Sequence, residues 1–207
     1  MRVIAIDGPV GSGKSTVARA VADRLGLDCL ETGAMYRAAA LAVIRRCAKG
    51  EIGPHMETAD VVAVAEGVDI GLGDGRVLLD GEDVTDEVRG ALVGGTVSAI
   101  AAVPEVRARL VDLQRQWVAD HGGAVVEGRD IGSVVFPDAE LKVFLTATPE
   151  ERAKRRSDED ADDVRRRDRI DSTRAVSPLV VPDGAVVVDS TGQSVDEVVD
   201  QIVGLLG

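Results

Sequence analysis

The chain has 207 residues, 45% of them apolar, enough to bury a full hydrophobic core within one domain. Its formal charge of −12 excludes a general nucleic-acid or anionic-membrane surface, although arginines can still gather locally around a small anion. Only 2% of residues are aromatic, so Val, Ala, Leu and Ile must fill the interior, which suits β-branched strands sandwiched between helices.

The predicted elements alternate. Residues 3–6 form a short β-branched run, read as a buried strand, and a helix-period pattern follows at 15–25. Buried strands are likewise expected at 28–30, 124–126, 141–145 and 185–188, with helices at 34–48, 104–120, 149–156 and 194–206. Such alternation implies right-handed crossovers and an α/β fold: a five-stranded parallel sheet flanked by helices. Residues 67–89, "GVDIGLGDGRVLLDGEDVTDEVR", break the pattern with period-two runs and Gly-Asp and Asp-Gly turns, which predicts a small antiparallel β insertion. The expected organisation is a single domain: a core of about 1–50, 91–150 and 175–207, an insertion at about 51–90, and an Arg-rich lid at about 151–174. An apolar strand starting at residue 3 leaves no room for a secretion signal, and no apolar run is long enough to span a bilayer, so the cytoplasm is expected. Cys29 and Cys47 have neither metal-ligand nor Cys-x-x-Cys spacing and read as reduced thiols. His55 and His121 read as surface residues, and Trp117 as packing on its helix.

The first strand runs straight into "IAIDGPVGSGKST". Gly8, Gly11, Gly13, Lys14 and Ser15 satisfy G-x-x-x-x-G-K-[ST], with the strand before and helix after that this motif requires. In that setting the stretch Gly8, Pro9, Val10, Gly11, Ser12, Gly13, Lys14, Ser15 and Thr16 is expected to wrap the phosphates of a nucleoside triphosphate. Backbone N–H groups turn inward, Lys14 bridges the β- and γ-phosphates, and the Ser15 hydroxyl ligates Mg²⁺.

A triphosphate grip leaves two classes open, a hydrolytic switch or motor and a kinase. The chain contains no Asn, which removes the Asn-Lys-x-Asp guanine reader of the commonest switches. A kinase needs a second set of ligands at strand ends, where the crevice of an open parallel sheet lies. Three stretches offer one: "ETGAMYR" at 31–37, "EGRDIG" at 127–132 and "RRRDRIDSTR" at 165–174.

Together with "LLDGEDVTDEVR", "EGRDIGSVVFPDA" and "RDRIDSTRAVSPL", these motifs resemble bacterial cytidylate kinases, a branch of the nucleoside monophosphate kinases, over nearly the whole chain. The resemblance implies Mg²⁺-dependent phosphoryl transfer from ATP to CMP or dCMP by a monomer with small-molecule substrates, no nucleic acid and no membrane. It places Thr32, Tyr36 and Arg37 in the CMP pocket, with Arg37 on the acceptor phosphate, and turns Ser98 and Arg107 toward cytosine. Gly128, Arg129 and Asp130 follow the third core strand; Arg129, Arg167 and Arg174 would bind the CMP phosphate and Asp171 the ribose hydroxyls. Arg107 can donate to O2 and N3 of cytosine while Asp130 accepts from its amino group, an order that uracil reverses. Glu127 takes the Walker-B-like place and would hold Mg²⁺ with Ser15, where the family often has Asp. Lys14, Arg152 and Arg156 would act on the transferring phosphoryl group. No general base is evident, consistent with an acceptor oxygen that is already anionic. Between Arg156 and Arg165 the sequence "SDEDADDV" is shorter and more acidic than the family's lid, so weaker closure over ATP is expected. The alternatives are a kinase of another small anionic acceptor, UMP or a metabolite such as shikimate, which Asp130 and Arg107 argue against, and a nucleotide-dependent switch, which would use the same loop without a second pocket.

Overall fold

A computed structural model describes the chain except for residues 54, 74 and 156–160 and the side chains of 161–164 and 167. In chain order the elements are β1 (Arg2–Asp7), α1 (Lys14–Leu25), β2 (Asp28–Glu31), α2 (Thr32–Ala48), α3 (Thr58–Gly67), β3 (Ile70–Gly73), β4 (Arg76–Leu79) and β5 (Glu82–Asp83). A 3-10 turn (Glu87–Arg89) leads to α4 (Ala91–Ile100), α5 (Pro104–Asp120) and β6 (Gly123–Gly128). A single π-helical turn (Ile131–Val135) precedes β7 (Leu141–Thr146), α6 (Pro149–Arg155), α7 (Ala161–Thr173), β8 (Val186–Asp189) and α8 (Val195–Gly204). The chain divides into two compact units, one made of Met1–Glu31 with Gln114–Gly207, the other of Thr32–Leu113.

The first unit holds the parallel sheet, with strand order β2-β6-β1-β7-β8. β6 is buried at every position, as a central strand covered on both faces must be, and its Ala-Val-Val run supplies the apolar surface. Ile4, Ile6, Val125, Val143, Leu145 and Val188 of the strands meet Val17 and Val21 of α1 and Val198 and Ile202 of α8 in one core. α1 stops at Gly26, whose φ of 64° is the left-handed cap that ends many helices. α8 starts at a capping box in which Ser194 accepts from the Glu197 N–H while the Glu197 carboxylate accepts from the Ser194 N–H.

The second unit packs the antiparallel β3-β4-β5 sheet with α2, α3, α4 and the first turns of α5. The insertion carries a helix that the period-two reading did not include, α3, whose buried Val61, Val64 and Ala65 recur at helical spacing. They join Met35, Leu41 and Val43 of α2, Leu79 of β4 and Leu110 of α5 in a core of small and branched side chains. At the surface Arg45 of α2 donates two bonds to Glu82, of 2.7 and 2.9 Å, tying that helix to the end of the meander. Residues 161–173, read from sequence only as a charge-crowded segment, form α7.

Candidate phosphate and acceptor sites

β1 delivers the chain to the loop between Gly8 and Gly13, and two of its glycines are required by close approach. A Cβ on Gly8 would lie 2.0 Å from the Leu145 carbonyl oxygen, and one on Gly11 would lie 2.8 Å from the Arg152 carbonyl oxygen. The loop therefore lies against the end of β7 and the first turn of α6 with no room for side chains.

Lys14 opens α1 and is buried; its Nζ donates to the Pro9 carbonyl at 2.8 Å, which folds the side chain back over the loop. Burial, with the Arg129 guanidinium close by, brings the Lys14 ammonium down to about 7 against the pull of Glu127, Asp7 and Asp171. Two cations and three carboxylates thus share one small region at the ends of β1 and β6. Ser15 and Thr16 are exposed, and the Ser15 hydroxyl donates to Glu127 Oε1 at 3.1 Å. Ser12 is fully buried, and its hydroxyl has no hydrogen-bond partner among the described residues.

The loop carbonyls are held from behind by α6. Arg152 donates from Nη1 to the Val10 carbonyl at 3.0 Å and to Asp168 Oδ2 at 2.5 Å, and Asp168 Oδ1 accepts from the Val10 N–H at 3.3 Å. Arg155 donates to the Ser12 carbonyl at 3.2 Å, and to the Ser190 hydroxyl and carbonyl at 2.9 and 2.8 Å. Ser190, just after β8, donates from its own hydroxyl to the Ser12 carbonyl at 3.1 Å. A peptide's C=O and N–H point in opposite directions, so anchoring the carbonyls of Val10 and Ser12 behind the loop turns the Gly11 and Gly13 amides to its front. Sequence reading singled out neither Asp168 nor Ser190. Both partners lie far along the chain, and a polar residue in a charged segment or a strand-end loop carries no spacing signal.

Gly128 ends β6 beside Asp7 of β1 in the strand register. The next residue, Arg129, donates from Nε to Asp171 Oδ2 at 2.9 Å, and Arg174 Nη1 lies 3.9 Å from Asp171 Oδ1. Arg174 also donates to the Ser177 carbonyl at 2.7 Å. The structure thus brings Arg129, Asp171 and Arg174 together and sets Arg129 near Lys14. Asp130 is buried, as is Glu127. Arg167 lies on α7 with its side chain outside the described residues, and Arg156 is wholly outside them.

In the second unit Thr32 and Tyr36 are buried one turn apart on α2, and Arg37 donates to the Val88 carbonyl at 3.3 Å. The Arg107 guanidinium is buried 5.2 Å over the Tyr36 ring, a cation–π contact, and donates to the Ala101 carbonyl at 3.1 Å. Ser98 is half-buried on α4. Tyr36 and Arg107 therefore form one assembled pair of aromatic face and planar donor. In the first unit Trp117 is half-buried on α5 and its ring stacks on the exposed His121 at 3.7 Å between centroids.

No single helix among the described residues is long and apolar enough to cross a membrane. Comparison with known proteins agrees with these parts. Solved structures of a sugar kinase from Janibacter sp. HTCC2649 and of a Thermus thermophilus protein share the fold. The first has a TM-score of 0.51 at 18% identity and matches 100% of this chain and 94% of its own; the second has 0.52 at 18%, over 99% and 95%. In sequence the likeness is far closer. The chain is 48% identical to the cytidylate kinase of Mycobacterium leprae over 99% of its length and 95% of that protein. Against those of Pelotomaculum thermopropionicum and Corynebacterium diphtheriae the figures are 49% over 97% and 93%, and 47% over 99% and 94%. The sequence model titled "Cytidylate kinase" matches residues 4–206, so every strand end and loop described above lies within the match, and the chain belongs to the cytidylate kinase family.

Proposed function

We propose that this chain phosphorylates CMP and dCMP with ATP, yielding ADP and the diphosphate. The observation that carries the reading is the placement of Arg129 beside Lys14, with Asp171 and Arg174 behind it. A hydrolytic switch needs one phosphate grip. Transfer between two phosphates needs cations on both sides of the moving group, and the loop with Lys14 and the cluster after β6 supply them within one unit.

In this reading residues 8–16 hold the triphosphate, and Lys14 regains its full charge against the phosphates. Arg129, Arg167 and Arg174 take the acceptor phosphate together with Arg37, and Asp171 accepts from the ribose. Thr32, Tyr36, Ser98 and Arg107 are assigned to cytosine, Gly128 to the substrate, and Asp130 to the cytosine amino group as its acceptor. Arg152 and Arg156 neutralise charge on the transferring group, a role for which Arg152 must leave the Val10 carbonyl and Asp168 that hold it behind the loop.

The residues present fit a magnesium ion shared with phosphates. Among the described residues no three His, Cys, Asp or Glu side chains converge into an all-protein cage, whereas a hydroxyl and a carboxylate stand 3.1 Å apart at Ser15 and Glu127. These two would hold the ion, which when bound offsets charge on the β- and γ-phosphates. The chain is proposed to work as a cytoplasmic monomer and one domain, with 51–90 as the acceptor-side insertion and 151–174 as the lid, without nucleic acid or membrane.

The test is ADP release from Mg·ATP with CMP, dCMP, UMP, AMP, shikimate or no acceptor at equal concentration. Release with CMP and dCMP far above the other arms is expected. Equal release in every arm would mean hydrolysis and would sink the acceptor site.

A further inference from the structure

Asp7 is fully buried, and nothing in the chemistry above uses it. It ends β1 directly before the first loop glycine, an acidic residue closing a strand that is apolar from Val3 to Ile6. Its two oxygens are both engaged: Oδ1 accepts from the Ile131 N–H and Oδ2 from the Gly132 N–H, each at 2.7 Å. These are the first two amides of the π-helical turn that follows β6. The first amides of any helical turn lack partners within it and need an acceptor from outside.

For the second of these amides the residue placed to supply that acceptor is Asp130, which stands at the N-cap position. Asp is among the side chains that most readily cap their own helix. Here Asp130 makes no side-chain cap bond, although its backbone carbonyl takes the Val134 and Val135 N–H groups at 2.9 and 3.2 Å. Asp7 reaches in from the neighbouring strand and does the capping, with one short charge-assisted bond to each amide. The site is tightly built, since a Cβ on Gly132 would come within 3.1 Å of Pro182.

We infer that Asp7 is a positioning residue for acceptor selectivity. By taking the Gly132 amide that an N-cap side chain would otherwise accept from, it keeps the Asp130 carboxylate out of its own turn. The inference rests on the reading of Asp130 given above. Burial pushes the Asp7 carboxyl up to about 6 against the pull of its two amide bonds, and the nearby Asp130 charge pushes the same way, so the two carboxylates are close neighbours.

Asparagine at position 7 offers one oxygen where two are used and sets an NH₂ against a backbone N–H. The turn then draws the Asp130 carboxylate into its own cap. The experiment compares kcat/KM for CMP and for UMP in the wild type, Asp7→Asn, Asp130→Asn and the double variant. Asp130→Asn should lower the CMP-to-UMP ratio by about tenfold or more, Asp7→Asn by a comparable factor, and the double variant little further, because both act through one carboxylate. If Asp7→Asn lowers both substrates equally, the ratio is unchanged and the inference is overturned while the reading of Asp130 stands. If Asp130→Asn leaves the ratio unchanged, that reading fails and the inference with it. Should Asp7→Asn not fold, hydrogen exchange of the wild type still decides: the Ile131 and Gly132 amides should exchange slowly, and exchange at unprotected rates would overturn the capping role.

Discussion

Replacing Arg155 by methionine keeps the apolar stem and removes four hydrogen bonds: three to the Ser12 carbonyl and to both the hydroxyl and carbonyl of Ser190, and one to Glu151, an exposed i,i+4 pair worth little. Neither carbonyl is left orphaned. Ser12 still accepts from the Ser190 hydroxyl, and the Ser190 carbonyl still accepts from the Gln193 N–H at 3.2 Å. The loss is therefore the net worth of the bonds rather than the penalty of burying an unpaired group. At about 1 kcal/mol each, discounted for a guanidinium that is 27% exposed, the loss comes to about 2 kcal/mol. Urea unfolding should show that drop with an unchanged slope. The second consequence is functional. With the Ser12 carbonyl less firmly anchored, the Gly13 amide is less firmly aimed, so KM for ATP should rise about fivefold while KM for CMP stays within about twofold. Arg155→Lys should rescue little of either effect, because an ammonium cannot fork to two atoms of Ser190. Unchanged stability together with an unchanged KM for ATP would refute the reasoning. So would additivity with Ser190→Ala, since partners in contact should couple by about 0.5 kcal/mol or more.

Three further outcomes are expected. Lys14→Met should abolish phosphoryl transfer yet raise the unfolding midpoint of the ligand-free protein at neutral pH. The native ammonium falls to about 7, below its ordinary range, so the unfolded chain binds more protons and wild-type stability climbs as pH rises from about 7 to about 10. The variant should lose that climb, and a variant that keeps it would contradict the assignment. Gly8→Ala should destabilise strongly and bind no ATP, because its methyl group would meet the Leu145 carbonyl; a folded variant with normal KM for ATP would exclude the close approach. Cys29 should resist iodoacetamide at pH 8 in the folded protein and react once it is unfolded. Burial and the nearby Glu127 and Glu31 charges push its thiol up to about 12, and rapid labelling of the native chain would show that environment to be wrong.

The readable parts of the sequence were those with local spacing. The phosphate loop announces itself through glycines that the backbone cannot replace, and the core strands through β-branched runs flanked by helix-period segments. α3 was less legible because "TADVVAVAEG" is apolar almost throughout, so no period stands out until Val61, Val64 and Ala65 are seen to be buried. α7 was illegible for the opposite reason, since Ile170 stands among charges and no apolar stripe forms. The site followed the same rule. Lys14, Arg129 and Asp171 carry motif signals, whereas the capping of 131–132 by Asp7 joins residues more than a hundred positions apart and leaves no trace in either segment.

The division of the chain has a consequence for biosynthesis. Thr32–Leu113 is continuous and can collapse as soon as it clears the ribosome, whereas the other unit is split around it. β1 leaves the ribosome early, but both of its neighbours in the sheet, β6 and β7, are translated only after that whole unit. At typical elongation speeds the roughly 115 residues between Asp7 and Gly123 delay its pairing by on the order of ten seconds. During that interval an apolar strand and a glycine-rich loop stand without a sheet, so the nucleotide grip, encoded near the front, is among the last parts of the protein to take shape. A nascent chain stalled before β6 should accordingly be a chaperone client, with a folded insert and no affinity for ATP.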